Sequence, residues 1–197
     1  INKVNKLIPG WKIHRIELWN PRLEYHEVNH FMKKCQPLDF TPEEEIYGKK
    51  MLNKFGLKDD DKFVCLSVRD SRYQLEKVPA RFKDWSYHDY RNWDIDNFIL
   101  AAEELANRGY YIFRMGVKVL KPLKSSNPKV IDYAYLGMRS EFMDIYLGAK
   151  CTFCVSLGGA GFFGIPFIFR RPNAYIMIPF VNLCTGNKYD LMITKNH

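Results

Sequence analysis

Three places in this 197-residue chain end an apolar run on groups suited to holding an anion. Phe63 to Ser67 leads into Val68-Arg69-Asp70-Ser71, Tyr110–Met115 closes on Arg114-Met115-Gly116, and Cys151–Ser156 runs into Leu157-Gly158-Gly159-Ala160-Gly161. A guanidinium forks onto a carboxylate or phosphate. A glycine-rich turn between strand and helix presents bare N–H groups and admits close backbone approach. If the three runs are parallel strands, all three ends open on the one edge where open α/β sheets bind ligands. The candidate nucleotide or phosphate ligands are therefore Arg69, Ser71, Arg114, Gly116, Ser156, Gly158, Gly159 and Gly161. Asp132, ending a further short run, is an acceptor either for ribose or base or for local backbone donors. For Arg69 the competing role is an ion pair with a neighbour such as Asp70, and for the glycines a tight turn beneath a packed helix. The turn matches neither G-x-G-x-x-G after a first strand nor a P-loop, so the three ends together carry the phosphate reading.

Chemistry at a departing diphosphate needs stabilisation of growing negative charge. Arg69 and the Gly158–Gly161 N–H groups are first in line for it, with Arg114 and Ser156 behind them. His88, beside Asp89, is by residue type the candidate general base. It lies in a long aperiodic segment, Ser71–Trp93, with six aromatic residues. Such a segment reads as a lid, an acceptor-side stacking surface or a packed loop. Arg91, Asn92 and Asp94 are expected to fix the loop and cap the next helix. No G-x-S-x-G elbow exists, which disfavours a serine hydrolase. Asp94-Ile95-Asp96 matches a D-x-D metal triplet, but acids are favoured where a helix starts, and no metal site is expected. The five cysteines are odd in number, and Cys65, Cys151 and Cys154 fall in apolar runs, as buried reduced thiols do. On a strand, Cys151 and Cys154 would face opposite ways. His26 and His30 are four apart and read as surface residues of a helix over Leu23–Lys34.

The elements that must hold these groups are legible in outline. A short strand or linker is expected at Ile13–Leu18. Thr41-Pro42-Glu43-Glu44 starts a helix through a capping box and Pro at N1, and Gly56 stops it. Asp94 and Gly109 bracket another helix with Ile95, Phe98, Ile99, Ala102 and Leu105 as its apolar stripe. Ser140 caps a third. Val130–Tyr133, Phe167–Phe169 and Tyr175–Ile178 read as further strands. Alternation of helix and strand from residue 41 gives an α/β, Rossmann-like fold, a mainly parallel sheet with helices on both faces. The division expected is an N-terminal extension or acceptor-domain remnant over 1–40 and a nucleotide-sugar-binding domain over 41–197.

Composition narrows the partners. Hydrophobic residues make up 47% and charged residues 26%, an ordinary globular balance. No run approaches the roughly 18 apolar residues of a membrane span, and no signal peptide opens the chain. The start at Ile1 suggests a fragment. The net charge of +8 favours an anionic partner: a nucleotide, a nucleic acid or an anionic membrane surface.

The order VRDS…HDYRNWDIDNF…RGYYIFRMG…VIDYA…RSEFMDIYLGAKCTFCVSLGGAGFFGIPF, over about residues 41–180, resembles a family of bacterial glycosyltransferases. These look like the nucleotide-sugar half of GT-B enzymes and share a general pattern with fucosyltransferases. The resemblance implies two Rossmann domains, with the donor diphosphate held by the C-terminal one, no obligatory metal, and no cofactor beyond the donor, GDP- or UDP-linked. Arg69 matches the phosphate-binding Arg of an H-x-R pattern whose His position is Ser67 here. It also implies a glycan or glycoconjugate acceptor, an N-terminal acceptor domain absent or reduced, and a cytoplasmic place, against the inner membrane face where the acceptor requires it. The rival from another class is a non-catalytic nucleic-acid- or nucleotide-binding module that uses the basic surface and the aromatic loop.

Overall fold

Phe63–Val68 (β1) is buried along its whole length, as a strand covered on both faces of a sheet must be. In the computed structural model it is central in a six-stranded sheet with Tyr111–Met115 (β2), Val130–Ile131 (β3), Phe153–Leu157 (β4), Asn173–Ile178 (β5) and Leu191–Thr194 (β6). The order is β3-β2-β1-β4-β5-β6 and every pairing is parallel. The structure describes Pro9 and residues 34–77, 86–157, 161–178 and 187–194. The strand expected at Ile13–Leu18, residues 23–33 of the expected helix with His26 and His30, and Gly158 and Gly159 all lie outside the described residues. Gln36–His197 forms one compact unit.

Successive strand residues face opposite sides of the sheet, and each side has its own helices. Cys65, Phe113 and Met115 meet Met143, Tyr146 and Leu147 of Glu141–Lys150 (α4). Val64, Leu66 and Ile112 meet Ala102 and Ala106 of Ile99–Asn107 (α3) on the other side. Pro42–Lys54 (α1) starts as its sequence says, with Thr41 Oγ1 accepting from Glu44 N at 3.3 Å and the Glu44 carboxylate accepting from Thr41 N at 2.8 Å. Gly56, at φ +90°, turns the chain out of the left-handed position that ends the helix. Thr41→Ala should lower unfolding stability by about 1 kcal/mol. A urea midpoint equal to the wild type's would show the cap to be redundant.

α1 lies close against α4: a Cβ on Gly48 would sit 2.2 Å from the Tyr146 ring. Tyr146 Oη donates to Glu45 Oε2 at 3.1 Å, and Lys150 pairs with the same carboxylate. Ser140 Oγ accepts from Met143 N at 3.2 Å and starts α4 as expected.

Four expectations change. The strand at Val130–Tyr133 stops at Ile131, because Tyr135 and Leu136 N–H groups fold back onto the Asp132 carbonyl. Phe167–Phe169 is not a strand: Gly164–Ile168 (α5) is helical, with Phe169 N donating to Ile165 O at 3.1 Å. Pro166 stands in its first turn, where no N–H is needed. Cys151 ends α4 rather than opening a strand, so it shares one core cluster with Cys65 and Cys154 instead of facing away. Burial pushes the Cys65 and Cys154 thiols well up. The segment after Ser71 holds a short helix, Arg72–Lys77 (α2), and a 3-10 turn, Ser86–Arg91. Among the described residues no helix is long and apolar enough to cross a membrane.

Candidate functional site

The strand order reverses at β1, which has β2 on one side and β4 on the other. Outside the carboxyl ends of strands at such a reversal a crevice forms, because the connections leave in opposite directions. A cleft of about 580 Å³ occupies it. Its lining comes from four places: the end of β1 into α2, Arg91, the segment Met115–Val119 after β2, and α4 with the residues from Gly161 into α5.

Arg69 stands one residue beyond β1 and lines the cleft, half-buried. Its carbonyl accepts from Trp93 N at 2.9 Å, and its Nη1 donates to the His88 carbonyl at 3.4 Å. These bonds bring the 3-10 turn and Arg91 to the same cleft. Burial, and next to it the Arg91 charge, pull the Arg69 pKa down from the ordinary arginine range, with Tyr90 and Asp89 opposing. An anion held beside Arg69 and Arg91 would offset that pull on Arg69. Lys118 adds a third cation to the lining, 3.4 Å from Glu76.

The other predicted residues divide. Gly116 and Gly161 line the cleft, and Gly116 leaves no room for a side chain, since a Cβ would lie 2.9 Å from Val119 Cγ1. The helix after the glycine turn is only five residues long, so it adds little dipole of its own. Ser71 stands before α2 outside the lining, its carbonyl accepting from Leu75 N. Ser156 faces Ser67 in register but is wholly buried, its Oγ without a hydrogen-bond partner among the described residues. His88 is outside the lining as well. Its own burial first, then Arg69 and Arg91, pull its pKa down, which favours the neutral imidazole.

Arg114 corrects the sequence reading. It is 1% exposed and points into the α3 side, where its Nη1 donates to Lys121 O at 2.6 Å and pairs with Asp132 Oδ1 at 3.4 Å. Its Nη2 lies 3.8 Å from Asp70 Oδ2. Asp132 is likewise committed, accepting from Leu123 N at 2.6 Å. This pair braces the loops after β2 and β3, and neither residue lines the cleft. Asp94 and Asp96 both hold the Lys121 ammonium, at 2.7 and 2.6 Å.

Arg91, Lys118, Asp144 and Phe162 line the cleft without having been proposed from the sequence as ligands. Arg91 read there as a residue that fixes the loop. Asp144 sat unremarked in the first turn of a capped helix. Its carboxylate is 16% exposed and holds Arg139 Nη2 at 2.5 Å, while Tyr133 Oη donates to its Oδ1 at 3.1 Å.

A parallel sheet whose strand order reverses at β1, with helices on both faces, is a Rossmann-like fold. Two solved structures share the fold. The glycosyl transferase family 9 structure from Veillonella parvula DSM 2008 matches 80% of this chain and 41% of its own, at 12% identity and a TM-score of 0.52. The ADP-heptose LPS heptosyltransferase II of E. coli matches 80% of this chain and 44% of its own, at 13% identity and the same TM-score, 0.52. The chain thus has the α/β fold found in GT-B glycosyltransferases, and it spans about two fifths of the length of these structures. No family model and no curated protein matches the sequence.

Proposed function

We propose that this domain is the nucleotide-sugar-binding half of a GT-B glycosyltransferase, the C-terminal one. It would hold the donor diphosphate during transfer of the sugar to a polysaccharide or glycoconjugate acceptor. The observation that carries the reading is the meeting of Arg69 and Arg91 in a cleft at the sheet's reversal point. As the bond from sugar to phosphate breaks, charge gathers on the diphosphate, and two fixed guanidiniums in a half-buried site stabilise it. In this reading they compensate the charge without a metal ion. Gly116 and Gly161 let the pyrophosphate approach backbone, and Gly158 and Gly159 are proposed as further phosphate ligands. The +8 charge supports attraction of the anionic donor and contact with an anionic membrane surface.

A thermal-shift panel with GDP, UDP, CDP, dTDP and ADP at low and high salt tests this. ADP belongs in it because one structure of like fold acts on ADP-heptose. One diphosphate should raise the midpoint by about 5–10 °C at a hundredfold excess over its Kd, with little salt effect. No shift with any of them, together with steeply salt-dependent binding to a mixed oligonucleotide, would assign the basic surface to nucleic acid instead.

A further inference from the structure

The cleft lining has two chemically different parts. The segments after β1 and β2 supply Arg69, Arg91 and Lys118 together with Asp70, whereas α4, the 3-10 turn Gly161–Phe163 and α5 supply Asp144, Phe162 and Ile165. On this second part the charged group is a carboxylate whose cation, Arg139, does not line the cleft, so it offers a phosphate no positive partner. It suits a neutral ring with hydroxyl groups and apolar C–H faces, since small-molecule sites pair aromatic walls with a few placed polar atoms.

Asp144 is prepared for such a partner. Each of its oxygens has one donor, Tyr133 Oη on Oδ1 at 3.1 Å and Arg139 Nη2 on Oδ2 at 2.5 Å. An ionised carboxylate accepts about four hydrogen bonds, so both oxygens keep capacity. The two donors also fix the plane of the group. Burial nevertheless raises its pKa more than Arg139 and Tyr133 lower it, so further donors to the charged form remain favourable. Phe162 belongs to the same face. Its Cζ lies 3.2 Å from where a Gly148 Cβ would be, and Gly148 is one helical turn beyond Asp144.

We propose that Asp144 and Phe162 form the sugar subsite of the cleft, which accepts an uncharged, hydroxyl-rich sugar and turns away acidic ones. The inference rests on the nucleotide-sugar reading above. Asp144 would accept from ring hydroxyls, and the Phe162 ring would pack on the C–H face.

Calorimetry on the full chain separates the two readings. The probes are UDP, UDP-glucose and UDP-glucuronate, and the corresponding GDP, GDP-mannose and GDP-mannuronate. With the base the chain binds, the neutral-sugar nucleotide should bind about tenfold more tightly than the uronate, the scale of one hydrogen bond to a charged group. Asp144→Asn should bring that ratio close to one while leaving the plain diphosphate within about twofold, which also certifies its fold. Phe162→Ala should weaken both sugar forms about equally and spare the diphosphate. A wild-type ratio near one, or a ratio unchanged in Asp144→Asn, overturns the subsite while the nucleotide reading stands. No binding of any of the six probes by the wild type overturns both.

Discussion

Arg69→Ala is expected to bind the preferred nucleoside diphosphate at least about tenfold more weakly than the wild type, at unchanged circular dichroism. The side chain gives the fold little: its hydrogen bond to the His88 carbonyl is long, at 3.4 Å. The bond that joins β1 to the 3-10 turn runs from Trp93 N to the Arg69 carbonyl and survives truncation. What alanine removes is a half-buried guanidinium beside Arg91 in the cleft. Arg69→Lys should fall between, since an ammonium keeps the charge and loses the planar fork. Unchanged calorimetric affinity in the alanine variant, with native circular dichroism, would take Arg69 out of the site.

Arg114→Met should act on stability instead, lowering it by about 3–5 kcal/mol in urea denaturation, the usual cost of stranding a buried charge. Arg114 is 1% exposed, and the Asp70 and Asp132 carboxylates beside it are 9% and 11% exposed. Without the guanidinium, two nearly buried carboxylates depend on backbone N–H groups alone, those of Arg72 and Leu120 for Asp70 and of Leu123 for Asp132. Methionine keeps most of the volume, so the loss reports charge rather than a cavity. Adding Asp132→Asn should restore part of it by removing one stranded charge. A loss under about 1 kcal/mol in the single variant would mean the carboxylates find solvent readily and the brace is dispensable.

These two arginines show where sequence suffices and where it fails. Both stand near the end of an apolar run, and the same rule of strand ends selected both. Arg69 lies one step past β1, where the chain has left the sheet. Arg114 is still inside β2, paired in register with Leu66. Parity therefore sends it to the face that Leu66 shares with α3, and register is a tertiary fact. Thr41-Pro42-Glu43-Glu44 and Ser140 were legible because a cap is a local contract between a side chain and N–H groups within one turn. Phe167–Phe169 was not, because a short apolar run has no period to tell helix from strand. Asp144 was visible only as a first-turn acid; its place in the cleft depends on how α4 docks. β6 carries an exposed row of Leu191, Met192 and Ile193, so burial left no pattern there to read.

The junction of β1 with β4 has a consequence for how the chain is made. β1 pairs through Phe63–Ser67 with β2 on one side and through Val64–Val68 with Phe153–Leu157 on the other. During synthesis the first edge closes as soon as Met115 has emerged, but the second must wait for Leu157. In that interval the nascent chain carries an open, apolar strand edge, the kind of surface that recruits other chains. Closing it brings together segments far apart in sequence, a slow step because the intervening loop loses entropy before any contact rewards it. The seam beneath the crevice is thus the last part of the sheet's centre to close, and its edge stays open to other chains until then.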